Sequence, residues 1–109
     1  MYTQRITSET LPEVAIRKLV EDGAVLLDVR THCEYAGYHI EGAINVPYDE
    51  ICLMQPFLER LEGPLVLYSA HGRRSGIALR KLRDIGLDVY DAGTLHSVER
   101  ALQRRSPDS

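Results

Sequence analysis

Apolar residues along this chain recur with two rhythms, and the rhythms take turns. Val14, Ala15, Ile16, Leu19 and Val20 fall at helical spacing, as do Ile77, Ala78, Leu79, Leu82 and Ile85. Each set lays one apolar stripe along a helix, and Arg80, Lys81, Arg83 and Asp84 take the polar face of the second. Between the helices lie short runs without polar alternation: Ala24-Val25-Leu26-Leu27 leading into Asp28-Val29-Arg30, and Leu65-Val66-Leu67-Tyr68. Such runs predict strands buried on both faces. Ile44–Pro47 and Val89-Tyr90 are shorter strand signals, the first stopped by Pro47. Strands alternating with helices predict an α/β domain with a parallel sheet, right-handed crossovers and helices on both faces.

Punctuation places the boundaries. Thr10 with Glu13 forms a capping-box signature, Pro12 suits a first turn, and Gly23 suits the left-handed end of that helix. Thr31–Gly37 reads as a short helical turn carrying Glu34 and Tyr35, and Tyr38–Ala43 as irregular chain. Asp49–Met54 predicts a short helix, and Gln55-Pro56 restarts another with Phe57, Leu58 and Leu61 inward. Gly63-Pro64, Gly86 and Ala92-Gly93 read as turns. The last helix is expected from Ser97 to Arg105 on Val98, Ala101 and Leu102. Residues 1–7 read as an extended lead-in with Ile6 as an edge-strand contact, and Ser106–Ser109 as frayed. No repeat or linker interrupts the 109 residues, which predicts one domain over 1–109 with its ordered core near 6–102.

The chemistry concentrates where the strand Leu65–Tyr68 runs into Ser69-Ala70-His71-Gly72-Arg73-Arg74 and then a helix starting near Ser75. A helix N-terminus offers unpaired N–H groups and partial positive charge, so this junction is an anion site to which Arg73 and Arg74 add full charges. Ser69, the first loop residue, stands where such an architecture holds a nucleophile. His71 lies within the loop, where it either tunes the site or is a solvated loop residue. Asp28 and Arg30 fall at the carboxyl end of a strand, the ligand-binding end of open parallel sheets. Their alternative role is an ion pair with each other or bonds to loop backbone.

Composition narrows the classes. A net charge of −3 argues against nucleic acid as a partner. The sequence has no apolar run long enough for a membrane helix. The stretch Met1–Arg5 lacks an apolar signal core, which implies a cytoplasmic chain; a removed signal peptide would instead make it periplasmic. Cys33 and Cys52 lack CxxC spacing and are expected as free thiols. The four histidines lack metal-ligand spacing, so no metal site and no cofactor are expected, and His39 reads as a hydrogen-bonded structural residue. Neither the GxSxG nucleophile elbow nor the Gly-Lys-Ser/Thr of a phosphate loop occurs.

Several segments taken together resemble a known family. They are Leu27–Arg30, Glu34-Tyr35, His39–Pro47, Leu67–Ser75 and Asp91-Ala92-Gly93. In this order and spacing the chain is similar to the rhodanese homology domain, above all its small single-domain, phage-shock-protein-E type. The resemblance implies a three-layer α/β/α domain with a five-stranded, mainly parallel sheet. It also implies a Cys-x4-Arg loop whose thiolate takes a sulfane sulfur from thiosulfate or a persulfide donor and passes it to cyanide or another thiol. Here the nucleophile position is Ser69, the closing residue is Arg74, and the cradle is Ser69, Ala70, His71, Gly72, Arg73 and Arg74. The related phosphatase type has a loop one residue longer. Asp28 and Arg30 take supporting positions, and a homodimer fits so small a member.

Two departures stand out. Tyr38 replaces the glycine usual before the histidine, and Ser69 replaces the cysteine. A serine hydroxyl needs a general base to become a nucleophile and does not hold sulfur as a persulfide does. The chain as written is therefore expected not to transfer sulfur. Three readings stay open: a cysteine-to-serine form of an active sulfurtransferase, a naturally inactive anion- or protein-binding module, and some other transfer.

Overall fold

A computed structural model describes residues 10–103. Expectations for Ile6, for residues 1–7 and for the C-terminal tail lie outside that range. Four strands, β1 (Val25–Asp28), β2 (Ile44–Asn45), β3 (Leu65–Ser69) and β4 (Val89–Thr94), form one sheet in the order β2-β1-β3-β4. Every pairing is parallel. Among the described residues the sheet thus has four strands, not the five that the resemblance implies. Thr10 extends it by a single parallel bridge to Asp91, on the free edge of β4.

That bridge corrects one expectation. Helix α1 (Glu13–Glu21) starts after Pro12, without a side-chain cap. Thr10 is held by strand pairing with Asp91, and Leu11 N–H donates to the Asp91 carbonyl at 2.8 Å. The capping box forms instead at α2 (His32–Gly37). The Thr31 hydroxyl accepts from Glu34 N–H, and Glu34 accepts in return from Thr31 N–H. Beyond β2 a 3₁₀ turn (Tyr48–Glu50) and irregular turns replace the expected helix over Asp49–Met54, and α3 (Gln55–Glu59) follows.

Residues alternate across the strands to build two cores. Leu27, Val29, Leu65 and Leu67 pack with Ile51 and Leu58, and with Ala78, Leu79 and Leu82 of α4 (Arg73–Asp84). On the other face Leu26, Val66 and Tyr68 pack with Ile16 of α1, and with Val98 and Ala101 of α5 (Leu95–Gln103). The unbroken apolar runs of β1 and β3 follow from this double burial. The result is the expected three-layer α/β/α arrangement.

Strand β4 is longer than the Val89-Tyr90 expected. Asp91-Ala92-Gly93 does not end it. The register slips by one residue against β3, so Leu67 pairs with Asp91 and Tyr68 with Gly93. Gly93 at φ 85° absorbs this bulge, and a Cβ there would lie 2.9 Å from the Thr10 methyl. The extra length carries the Gly93 carbonyl beside the start of α4, where the loop needs it.

Candidate functional site

Strand β3 ends at Ser69, which has no exposed surface. The chain then turns through Ala70, His71 and Gly72. Gly72 at φ 89° takes the left-handed conformation that lets α4 begin at Arg73, two residues earlier than expected. The turn folds backbone N–H groups toward one atom. Gly72 N–H donates to Ser69 Oγ at 3.0 Å, and Ser75 N–H donates to the same oxygen at 3.2 Å. The Ser75 hydroxyl closes the ring, its one proton shared between the carbonyls of Gly72 at 3.0 Å and Gly93 at 3.3 Å. Ser69 Oγ therefore occupies the focus of two N–H dipoles at the start of a 12-residue helix. Such a setting stabilises negative charge on the focal atom.

Arg74 does not turn into this ring. Its guanidinium grips Glu34 of α2 in a two-pronged pair, Nη1 to Oε1 at 2.8 Å and Nη2 to Oε2 at 3.1 Å. The pair ties the loop's helix to the helix after β1. The bond from Arg74, helped by the Thr31 N–H, holds the Glu34 carboxyl down to about 2, against an ordinary 4.5. The Arg74 guanidinium is pushed up in turn by Glu34. Glu34 is the site residue that sequence reasoning passed over as part of a motif. Its signal was present: Thr31 and Glu34 stand at capping-box spacing.

This pair sets a pH dependence. Glu34 titrates lower in the folded chain than in the unfolded one, so its contribution is complete above pH 4.5 and is lost as pH falls toward 2. The Glu34 side chain is 36% exposed, so screening holds the contribution to about 1 kcal/mol. In urea titrations at fixed pH, the chain should exceed Glu34→Gln in stability at pH 6. The gap should close progressively between pH 4.5 and pH 2. A gap independent of pH would mean that the carboxylate charge is not what holds Arg74.

Arg73 and His71 are exposed at the loop, and Arg73 has no carboxylate partner among the described residues. With Arg74, Tyr48 and Ile77 they line an open pocket of about 590 Å³ beside the loop. Ser69 is buried and does not line it.

Asp28 and Arg30 meet each other, not the loop. Arg30 Nη2 reaches Asp28 Oδ2 at 2.7 Å, and its Nε reaches Oδ1 at 3.0 Å. Arg30 also donates to the Tyr38 carbonyl. Their alternative role as a buried ion pair is thus the one the structure displays. Tyr38 has φ −171°, extended backbone that any residue adopts, so the turn here does not need glycine. His39 stacks on Tyr35 with ring centroids 3.7 Å apart, and its Nδ1 lies 2.8 Å from the Tyr35 carbonyl. Cys33 and Cys52 are free and exposed. Among the described residues no group of three or more His, Cys, Asp or Glu side chains could hold a metal, and no helix is long and apolar enough to cross a membrane.

A parallel α/β/α sandwich with a six-residue cradle at the carboxyl end of β3 defines a class of domain, and the comparisons agree with it. The family model for the rhodanese-like domain matches residues 12–94. The uncharacterized protein YqhL of Bacillus subtilis is 37% identical over 92 residues, covering 84% of this chain and 71% of that protein. The uncharacterized protein slr1261 of Synechocystis is 34% identical over 90 residues, covering 81% of this chain. This chain spans 49%, about half, of that relative's length. Among solved structures, the human single-domain sulfurtransferase TSTD1 superposes with a TM-score of 0.66 at 25% identity, covering 91% of this chain and 99% of that one. The chain belongs to the rhodanese-like domain family.

Proposed function

We propose that loop 69–74 is a rhodanese-type sulfur-transfer cradle in which Ser69 stands at the position of the persulfide-forming cysteine. As written, the chain then binds a sulfur oxyanion such as thiosulfate and does not carry sulfur onward. The observation behind this reading is the convergence of Gly72 and Ser75 N–H groups on Ser69 Oγ at 3.0 and 3.2 Å. A thiolate at that focus would attack the outer sulfur of thiosulfate. The bond to the sulfonate sulfur would break, sulfite would leave, and a persulfide would remain for cyanide or a thiol to discharge. Serine lacks the means for the first step. No carboxylate or imidazole hydrogen-bonds its hydroxyl among the described residues, so no general base is in place to activate it.

The same serine supports a second reading, a module that binds anions or protein without turnover. Two measurements separate them. Titration of the chain with thiosulfate and sulfate should show saturable binding that Arg73→Ala, which removes the unpaired cation at the mouth of the loop, weakens about tenfold or more, the worth of a charged hydrogen bond. Absence of binding removes the anion role from both readings. Ser69→Cys then decides transfer, by thiosulfate:cyanide assay and by mass spectrometry for one added sulfur. Anion binding without transfer in that variant leaves only the module.

A further inference from the structure

The loop carries two adjacent arginines, and the fold treats them differently. Arg73 is exposed, with no carboxylate partner among the described residues. Arg74 also lines the pocket beside the loop, but both of its terminal nitrogens are taken by Glu34, at 2.8 and 3.1 Å. Glu34 does not line that pocket. It comes from α2, forty residues earlier in the chain, and can act on the pocket only through Arg74. Its carboxylate is fixed twice over. Oε1 accepts from Thr31 N–H at 2.9 Å as well as from Arg74, and the two-pronged grip sets the plane of the group. A carboxyl held down to about 2 is ionised throughout the neutral range. The pair therefore adds no net charge. Of the two guanidinium groups lining the pocket, one is left unneutralised.

We propose that Glu34 sets the charge class of the loop's ligand: by cancelling Arg74 it favours anions with one negative charge over anions with two. The proposal rests on the anion-binding reading of the loop and names the charge of its ligand. Coulomb energy is proportional to the ligand's charge. A cation that strengthens a monoanion by some factor therefore strengthens a dianion by about the square of that factor. Cancelling the cation costs the dianion the same square. Sulfate and thiosulfate carry two charges, and a sulfonate carries one. Glu34 thus holds dianions back without altering the Gly72 and Ser75 N–H groups aimed at position 69. It is a positioning residue, since its effect on the ligand passes through the charge and placement of Arg74.

The test uses the chain with Ser69 and two probes at pH 7.5, thiosulfate and methanesulfonate, followed by NMR shifts of the Gly72 and Ser75 amides. Glu34→Gln removes the charge and keeps the capping box, which takes Gln at this position as readily as Glu. It should strengthen methanesulfonate about threefold and thiosulfate about tenfold, the first factor being that of one partly exposed charge pair. Arg74→Gln should weaken the two by the same factors, because it leaves Glu34 uncancelled. The double variant Glu34→Gln/Arg74→Gln should return both affinities to within about twofold of the parent, since the pair it removes is neutral. Raising the salt to 1 M should shrink every one of these differences, as the screening length falls to about 3 Å. Equal factors for the two anions overturn the proposal. So does a double variant that binds thiosulfate as weakly as Arg74→Gln alone, since Arg74 would then grip the ligand itself. No binding of either probe, by the parent or by Glu34→Gln, overturns it together with the anion reading. Sulfur transfer fails separately. The expected factors with no persulfide on Ser69→Cys keep the charge control and remove transfer. Transfer by Ser69→Cys, with equal factors for the two probes, keeps transfer and ends the charge control.

Discussion

Cysteine at position 69 is expected to turn a chain with no thiosulfate:cyanide transfer into one that turns over, a gain of at least about a thousandfold, as for other enzymes that regain a missing nucleophile. The argument is electrostatic. A free thiol ionises near pH 8.5, and a helix N-terminus or neighbouring cation lowers that into the neutral range or below. Position 69 offers both, with N–H donors from Gly72 and Ser75 aimed at the side-chain atom and Arg73 unpaired at the mouth. A hydroxyl in the same ring is a far weaker acid and stays protonated at neutral pH. Ser69 is buried, and the outer sulfur of a persulfide would lie about 2 Å beyond the thiol sulfur. Mass spectrometry should find one sulfur added after thiosulfate and removed by cyanide. A folded Ser69→Cys protein with neither persulfide nor turnover would end the sulfurtransferase reading. The exposed thiols of Cys33 and Cys52 make the Cys33→Ser/Cys52→Ser background the right host for the measurement.

How much of this was legible before the structure depends on the range of the interaction concerned. Strands β1 and β3 and helices α1 and α4 follow from local pattern, because burial on two faces and amphipathic spacing leave direct marks in sequence. The cradle was legible too, since a strand feeding a glycine turn and a helix is a local arrangement. Features set by partners far along the chain were not. Thr10 carries a capping signature and is claimed by Asp91, some eighty positions away. Asp91-Ala92-Gly93 has the composition of a turn, yet β3 keeps the strand going past a bulge that Gly93 accommodates. Arg74 looked like an anion ligand from its place in the loop. Its partner, Glu34, lies forty residues earlier, and only the Thr31 capping box hinted that this side chain was fixed.

The Asp28–Arg30 pair should dominate the stability of the domain. Asp28 has no exposed surface and Arg30 is 8% exposed. The carboxylate accepts from the Arg30 backbone N–H at 2.9 Å and from two guanidinium nitrogens, and burial leaves no water to replace it. Its bond, outweighing the desolvation that opposes it, pushes the Arg30 guanidinium upward. The Tyr68 phenol, whose hydroxyl accepts from Ile40 N–H at 3.1 Å, is also held up, first by burial and then by Asp28. Asp28→Ala would strand the Arg30 charge in a site it cannot leave, because its guanidinium also bonds the Tyr38 carbonyl. The expected loss is about 3–5 kcal/mol, a large share of the roughly 5–15 kcal/mol that holds a domain. Urea unfolding should show it as a lower midpoint at unchanged slope. Replacing both partners by apolar residues of similar size, Asp28→Leu with Arg30→Met, should recover part of the loss: the unpaired charge is gone, while the Arg30 backbone N–H and the Tyr68 hydroxyl lose the carboxylate as partner. Were Asp28→Ala to fall within about 1 kcal/mol of the parent, solvent would have to reach Arg30, and the pair would belong to the surface. The effect should extend to the loop, because Tyr68 precedes Ser69 and α2 carries Glu34 to Arg74. Asp28→Ala should therefore weaken thiosulfate binding, while the paired replacement recovers part of the stability and part of the anion affinity together.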